Sequence, residues 1–218
     1  MCEKHENGKP HHHNIDLKEL MHAALEQNNR DALFALGEYY EQKKDRENAF
    51  TYYLKATEQD HAGAHNNVGI IYCLQGNIEK AKEHLHRAAD VHNIVPAILN
   101  LALLYDSQKD RELTKKYLHL AADSHDVAHA QFLLGLIYTQ EGNLDQTKKY
   151  WHRAADEHRI IGAQINLGYI YCEFNDYEKA LSYYNNAKAH KDINAEAITH
   201  LDKLKQLIDE KKVTAQAN

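Results

Sequence analysis

Gly37, Gly69, Gly135 and Gly168 share one register, with Ala102 in the place of a fifth glycine, so a small residue returns after 32, 33, 33 and 33 residues. Three positions after each stands a tyrosine: Tyr40, Tyr72, Tyr105, Tyr138 and Tyr171. Nine residues later comes another small side chain, Ala49, Ala81, Thr114, Thr147 or Ala180. Seven beyond that there is always an alanine, Ala56, Ala88, Ala121, Ala154 or Ala187. A period of this length means a stack of similar units, each too small to bury its own apolar face and each closed by its neighbours.

Within a unit the periodicity is helical. Ala64, Val68, Ile71 and Tyr72 lie at i, i+4, i+7 and i+8, and Ile78, Ala81, Leu85 and Ala88 form a second such face. Short polar turns such as QGN at 75–77 and EGN at 141–143 separate the two, which predicts a hairpin of two helices of about a dozen residues each. With 2 Pro and 9 Gly, the composition suits helices throughout. The invariant small and aromatic residues are the predicted crossing contacts, where small side chains let helices approach.

The ends read as half-units. Residues 16–28 match a second helix alone and 194–210 a first helix alone, as expected of caps on a stack. The predicted organisation is a disordered tail over 1–14, a repeat domain over 15–211 and a tail over 212–218. The repeat domain comprises a capping helix 16–28, units at about 30–61, 62–94, 95–127, 128–160 and 161–193, and a capping helix 194–210.

The Gly-x-x-Tyr, Ala and Ala spacing resembles the tetratricopeptide repeat. NLGYIY at 166–171 and RAAD at 87–90 and 153–156 resemble the related Sel1-like repeat. The nine-residue step from Tyr to the small residue is similar to the tetratricopeptide form, because Sel1-like units usually carry a longer turn. The period of 33 instead of 34 and the missing terminal proline depart from it. The resemblance implies an all-α, right-handed α-solenoid of about five helix-turn-helix units, with first helices lining a concave groove that holds an extended or helical peptide.

Projected on that architecture, the expected groove residues are Glu38, Asn67, Ile70, Asn100, Leu103, Phe132, Leu136, Asn166 and Tyr169. The stretches 62–75, 95–108, 128–141 and 161–174 contain no Lys or Arg, which excludes a clamp for an acidic C-terminal carboxylate. Asn67, Asn100 and Asn166 share a register. Their amides could donate to and accept from a peptide backbone, or bond the neighbouring hairpin.

The sequence has 17 histidines. His86, His119 and His152 each precede Asp90, Asp123 or Asp156 by four, and read as solvent-facing i, i+4 pairs. His92, His125 and His158 read as cationic helix ends. Units stacked at about 8–10 Å place such a ladder too widely for one ion, so no metal site is assigned. His11, His12 and His13 form a tract whose metal affinity the sequence leaves open.

Cys2, Cys73 and Cys172 are too sparse for a disulfide framework and indicate a reducing, cytoplasmic setting. The net charge of −6 and the bare groove disfavour nucleic acid, and no apolar run is long enough to span a membrane. With no phosphate loop or nucleophile set, the expectation is a non-enzymatic adaptor or scaffold without cofactor, binding a protein or peptide as monomer or homodimer. A self-assembling structural homodimer, or an RNA-binding helical-repeat protein, is the alternative.

Overall fold

The structure, a computed structural model, describes residues 17–217, and among them are twelve α-helices and no strand. The predicted tail at 1–14, with its three consecutive histidines, lies outside the described residues. The chain forms two compact units divided after Leu120.

In the first unit are α1 (Leu17–Leu25), α2 (Arg30–Gln42), α3 (Arg46–Thr57), α4 (Ala62–Leu74), α5 (Ile78–His86), α6 (Val95–Ser107) and α7 (Arg111–His119). Here α2 packs on α3, α4 on α5 and α6 on α7, and the hairpins join through α3 with α4 and α5 with α6. The second contains α8 (Ala128–Gln140), α9 (Leu144–His152), α10 (Ile161–Glu173), α11 (Tyr177–Lys188) and α12 (Ala195–Ala217). There α8 packs on α9, α9 on α10, and α12 lies against both α10 and α11.

Local sequence sets each hairpin turn. Asp45, Asn77, Asp110, Asn143 and Asp176 cap the second helices, their side chains accepting from backbone N–H groups three residues on. The residue before each cap is left-handed: Lys44, Gly76, Lys109, Gly142 and Asn175 all have φ between 59° and 76°. The repeated glycine of the first helix has a different cause. A Cβ on Gly135 would overlap the Trp151 indole, and one on Gly37 the Tyr53 ring, because the second helix seats a large side chain directly on that backbone.

Three departures from the sequence expectations appear. The second helices of the middle copies are nine residues long and run into five-residue π-helical segments, Arg87–Val91, Leu120–Ser124 and Arg153–Glu157, whereas α3 and α11 are unbroken at twelve. Against the first copy the difference is one extra residue. His61 N–H closes the first copy on Ala56 O, but Ile94, Val127 and Ile160 close theirs one residue further along, on Ala88, Ala121 and Ala154 O. The π turn absorbs the insertion and buries two consecutive alanines, Ala88 with Ala89, Ala121 with Ala122 and Ala154 with Ala155.

The other two departures are at the ends. α1 stops at Leu25, ahead of left-handed Asn28, instead of reaching 28. α12 continues to Ala217, through the residues expected to be a tail. No Gly or Pro stops it. Lys205 with Asp209 and Gln206 with Glu210 link successive turns, and Lys211 pairs with Glu173 of α10 at 3.0 Å.

Candidate functional site

The first helices present the residues expected to bind, and burial divides that set. In the first unit Glu38 is exposed and Asn67 and Leu103 are half-buried. Desolvation pushes the Glu38 carboxyl above its ordinary pKa. Ile70 and Asn100, by contrast, are 2% and 1% exposed, so they belong to the packing and are withdrawn from the binding set. Asn100 Nδ2 donates to Asn66 Oδ1 at 3.1 Å, and Asn66 donates to Asn67 Oδ1 at 3.2 Å. Asn100 thus takes the second of the two roles open to these amides, bonding the neighbouring hairpin, while Asn67 bonds within its own helix. In the second unit Phe132, Leu136, Asn166 and Tyr169 are all half-buried. Phe132 lies on Gly162, where a Cβ would stand 3.0 Å from the ring, and Tyr169 OH donates to His200 O at 3.0 Å.

The second helices build a denser polar array. A second tyrosine series, Tyr52, Tyr117, Tyr150 and Tyr183, stacks on the first. Tyr40 and Tyr52, Tyr105 and Tyr117, Tyr138 and Tyr150, and Tyr171 and Tyr183 lie 5.4–5.9 Å apart with rings within 6° of parallel. This series stands twelve residues after the first, and the register that revealed Tyr40 could have revealed it.

Two of the expected His/Asp pairs, His86 with Asp90 and His152 with Asp156, are formed, and they are more than surface pairs. His86 Nδ1 lies 2.8 Å from Asp90 Oδ2, its Nε2 is 2.8 Å from Tyr105 OH, and Tyr117 OH reaches both His86 and Asp90. In the second unit His152, Asp156, Tyr171 and Tyr183 repeat the arrangement, and Tyr150 OH donates to Asp123 at 2.9 Å. Each cluster braces one copy to the next. Burial, followed by the adjacent carboxylate, raises the Tyr117 phenol well above its usual range.

Two of the helix-end histidines, His92 and His158, also have a different role from the expected dipole caps. His92 Nε2 lies 2.9 Å from Asp60 Oδ1, and Arg87 donates twice to the same carboxylate at 2.7 and 2.8 Å. These bonds hold Asp60 well below the ordinary carboxylate range. In the second unit Asp126 receives Arg153 and lies 3.1 Å from His158. Asp60 and Asp126 are left-handed loop residues that end one copy, so the next copy grips the loop through charge.

Beside Asp60, His65 Nδ1 and His84 Nδ1 meet at 3.0 Å. Burial, and then the neighbouring His84, hold His65 down to about 4, and burial lowers His84 as well. Asp60, His65, Glu83, His84 and Arg87 line an open cleft of about 560 Å³.

The tetratricopeptide-repeat pattern matches residues 31–60 and 164–204, and the Sel1-repeat pattern matches 62–91, 95–126 and 128–158. No curated protein sequence matches significantly. Among solved structures, the chain is similar to a Sel1 repeat protein from Oxalobacter formigenes, at 24% identity and TM-score 0.70 over 84% of this chain and 82% of that one. It is also similar to PilF of Pseudomonas aeruginosa, at 20% identity and TM-score 0.64 over 87% and 89%. YrrB, described as a tetratricopeptide-repeat protein with an unusual peptide-binding site, aligns at 21% identity and TM-score 0.57 over 83% and 96%. At these identities the likeness establishes the α-solenoid repeat fold.

Proposed function

Since this chain is a repeat protein of the tetratricopeptide and Sel1-like class, we propose that it is a non-enzymatic adaptor or scaffold that binds a partner's peptide or helix on its first helices. The observation that carries this is the chemistry of those helices. From α4 through α10 they contain no Lys or Arg, yet they keep Asn67, Leu103, Phe132, Leu136, Asn166 and Tyr169 only half-buried. Apolar and amide side chains of that kind suit a neutral segment, with main-chain groups met by amides and side chains by Leu and Phe. Glu38 and its raised carboxyl suit a cationic residue of the same segment. The peptide-binding site ascribed to YrrB lends support by fold analogy.

The proposed setting is the cytoplasm, in keeping with Cys73 and Cys172, neither of which is in a disulfide. No described helix is long and apolar enough to cross a membrane.

Selection from a displayed peptide library tests the reading. Leu103→Asp with Leu136→Asp should weaken a selected peptide by at least several hundredfold, taking about 2 kcal/mol for each apolar anchor. Glu112→Lys, on a second helix and 86% exposed, should leave it unchanged. Undiminished binding by a natively folded double variant would move the site elsewhere. Light scattering addresses the homodimer alternative, and salt-dependent RNA binding the nucleic-acid one.

A further inference from the structure

The five copies serve as controls for one another, and one departs from the rest. The position of His65 holds Leu33, Ile98, Gln131 and Gln164 in the other copies, all nearly or wholly buried. The position of His84 holds Tyr52, Tyr117, Tyr150 and Tyr183. The second copy alone has histidine at both, and it brings them face to face, Nδ1 to Nδ1, at 3.0 Å. The repeat itself requires neither residue, because an amide or aliphatic group and a stacked tyrosine serve elsewhere.

The surroundings fix which nitrogen is free. Asp60 Oδ1 lies 3.3 Å from His65 Nε2, and a carboxylate on that side favours the tautomer with the proton on Nε2 and the Nδ1 lone pair towards His84. Asp60 cannot swing away, because Arg87 grips it through two hydrogen bonds. A carboxylate behind an imidazole whose other nitrogen faces a second imidazole is the outer-shell pattern of histidine metal ligands. Two nitrogens bound at about 2.0–2.1 Å in tetrahedral geometry stand about 3.3 Å apart, so a few tenths of an ångström of separation, with a turn of both rings towards the cleft, admits an ion. Both rings line the open cleft of about 560 Å³, which leaves the remaining positions to solvent, and Glu83 lines the same cleft.

We propose that His65 Nδ1 and His84 Nδ1 are the protein ligands of a site for an imidazole-preferring divalent transition metal of the Zn²⁺ type, with Asp60 as the positioning residue. Without metal, the Nδ1–H of one ring donates to the other. On binding, the ion takes that proton's place and the proton moves to His84 Nε2. Two protein ligands and open positions make a site for exchange or for bridging to a partner's side chain, in contrast to a closed structural zinc.

The test uses the full chain with His11, His12 and His13 replaced by Ser, so that the tail contributes nothing. Zn²⁺ titration by calorimetry should give one binding event, and Co²⁺ should give visible d–d bands. His84→Tyr and His65→Gln install the residues of other copies and so keep the fold. Together they should abolish the event, while Asp60→Asn should weaken it by about 10–100-fold. His158→Gln, at an exposed Asp126, Glu157 and His158 group, should leave it unchanged. If the double variant binds Zn²⁺ with the parent's stoichiometry and affinity, or if the parent shows no event, the assignment fails.

Discussion

The middle three copies and the outer two solve the same packing problem differently. α3 and α11 run twelve residues without interruption, and the residue after the fixed alanine, Thr57 or Lys188, is half-buried or exposed. In the middle copies that residue is Ala89, Ala122 or Ala155, at most 2% exposed, and the helix ends in a π turn. The pattern matches divide at the same place, tetratricopeptide outside and Sel1 within. Relative to the first copy, one residue inserted after the fixed alanine accompanies the change of repeat type, whereas the fifth copy spans seven residues from Ala187 to the cap Asn194 and keeps its helix unbroken, so length alone does not set the type. The π turn rotates an additional alanine inward, and the longer loop ends on the left-handed residue that precedes the next helix.

The largest expected effect probes that inward alanine. Ala155→Lys forces a charge into a site 2% exposed with no counter-ion in place, and should cost about 3 kcal/mol or more. The outer copy already carries lysine there. Lys188→Ala removes only a 3.1 Å bond to Tyr184 and a surface cation–π contact, and should cost under about 1 kcal/mol. Urea unfolding measures both, and equal costs would erase the distinction between the copies.

Next comes the seat of the second helix. Gly135→Ala drives a methyl into Trp151 and should cost about 1–3 kcal/mol through overpacking. Copy three already holds a buried Ala102 at that position, with the smaller Leu118 in the register of Trp151, so Ala102→Gly should cost about 1 kcal/mol through helix propensity alone. A smaller penalty for Gly135→Ala than for Ala102→Gly would mean the indole moves freely.

The second copy should differ from the fourth in its pH response. His65 is held down to about 4 when folded, against about 6.5 when unfolded. Below pH 6.5 the unfolded chain gains a proton that the folded chain refuses, so stability falls as pH drops from about 6.5 towards 4. In EDTA, the loss between pH 7.5 and 5 should be about 1–2 kcal/mol. Asp60, whose pKa is lowered, also loses its contribution on acidification, but only below about pH 4, outside that window. Replacing His65 with Gln and His84 with Tyr, as in the fourth copy, should flatten the profile. An unchanged profile would place the acid sensitivity in other histidines.

Much of this architecture was legible in the sequence, for identifiable reasons. The Gly, Tyr and Ala register gave the hairpins because each fixed letter is a crossing contact and geometry repeats. The π turns were hidden, since a change of hydrogen-bond register leaves the apolar spacing almost untouched. The binding surface was legible in composition, through its missing Lys and Arg, but not residue by residue. Ile70 and Asn100 turn inward from positions whose neighbours in register, such as Leu103 and Asn166, remain half-buried. His65 and His84 lie 19 residues apart, and a search for what repeats passes over a pair that occurs once.

The smallest expected effect concerns the tyrosine braces. Tyr117 OH bonds His86 and Asp90, respectively 31 and 27 residues earlier, and is almost fully buried. Counting back by the same steps from Tyr52 of the first copy reaches Met21 and Leu25 of α1, which offer the hydroxyl neither imidazole nor carboxylate. The rings stack alike, with Tyr40 and Tyr52 at 5.4 Å and Tyr105 and Tyr117 at 5.9 Å, so Phe preserves the stacking in both. Tyr117→Phe should therefore cost about 0.5–1.5 kcal/mol, the net worth of its hydrogen bonds, while Tyr52→Phe should stay within about 0.5 kcal/mol of the parent. Differential scanning calorimetry at pH 7.5 resolves such a difference. Equal costs would assign the brace's stability to ring stacking alone, with the His/Asp pairs as bystanders. The expected inequality means instead that each middle copy is fastened to the next by a polar contact that the first copy, facing an apolar cap, does without.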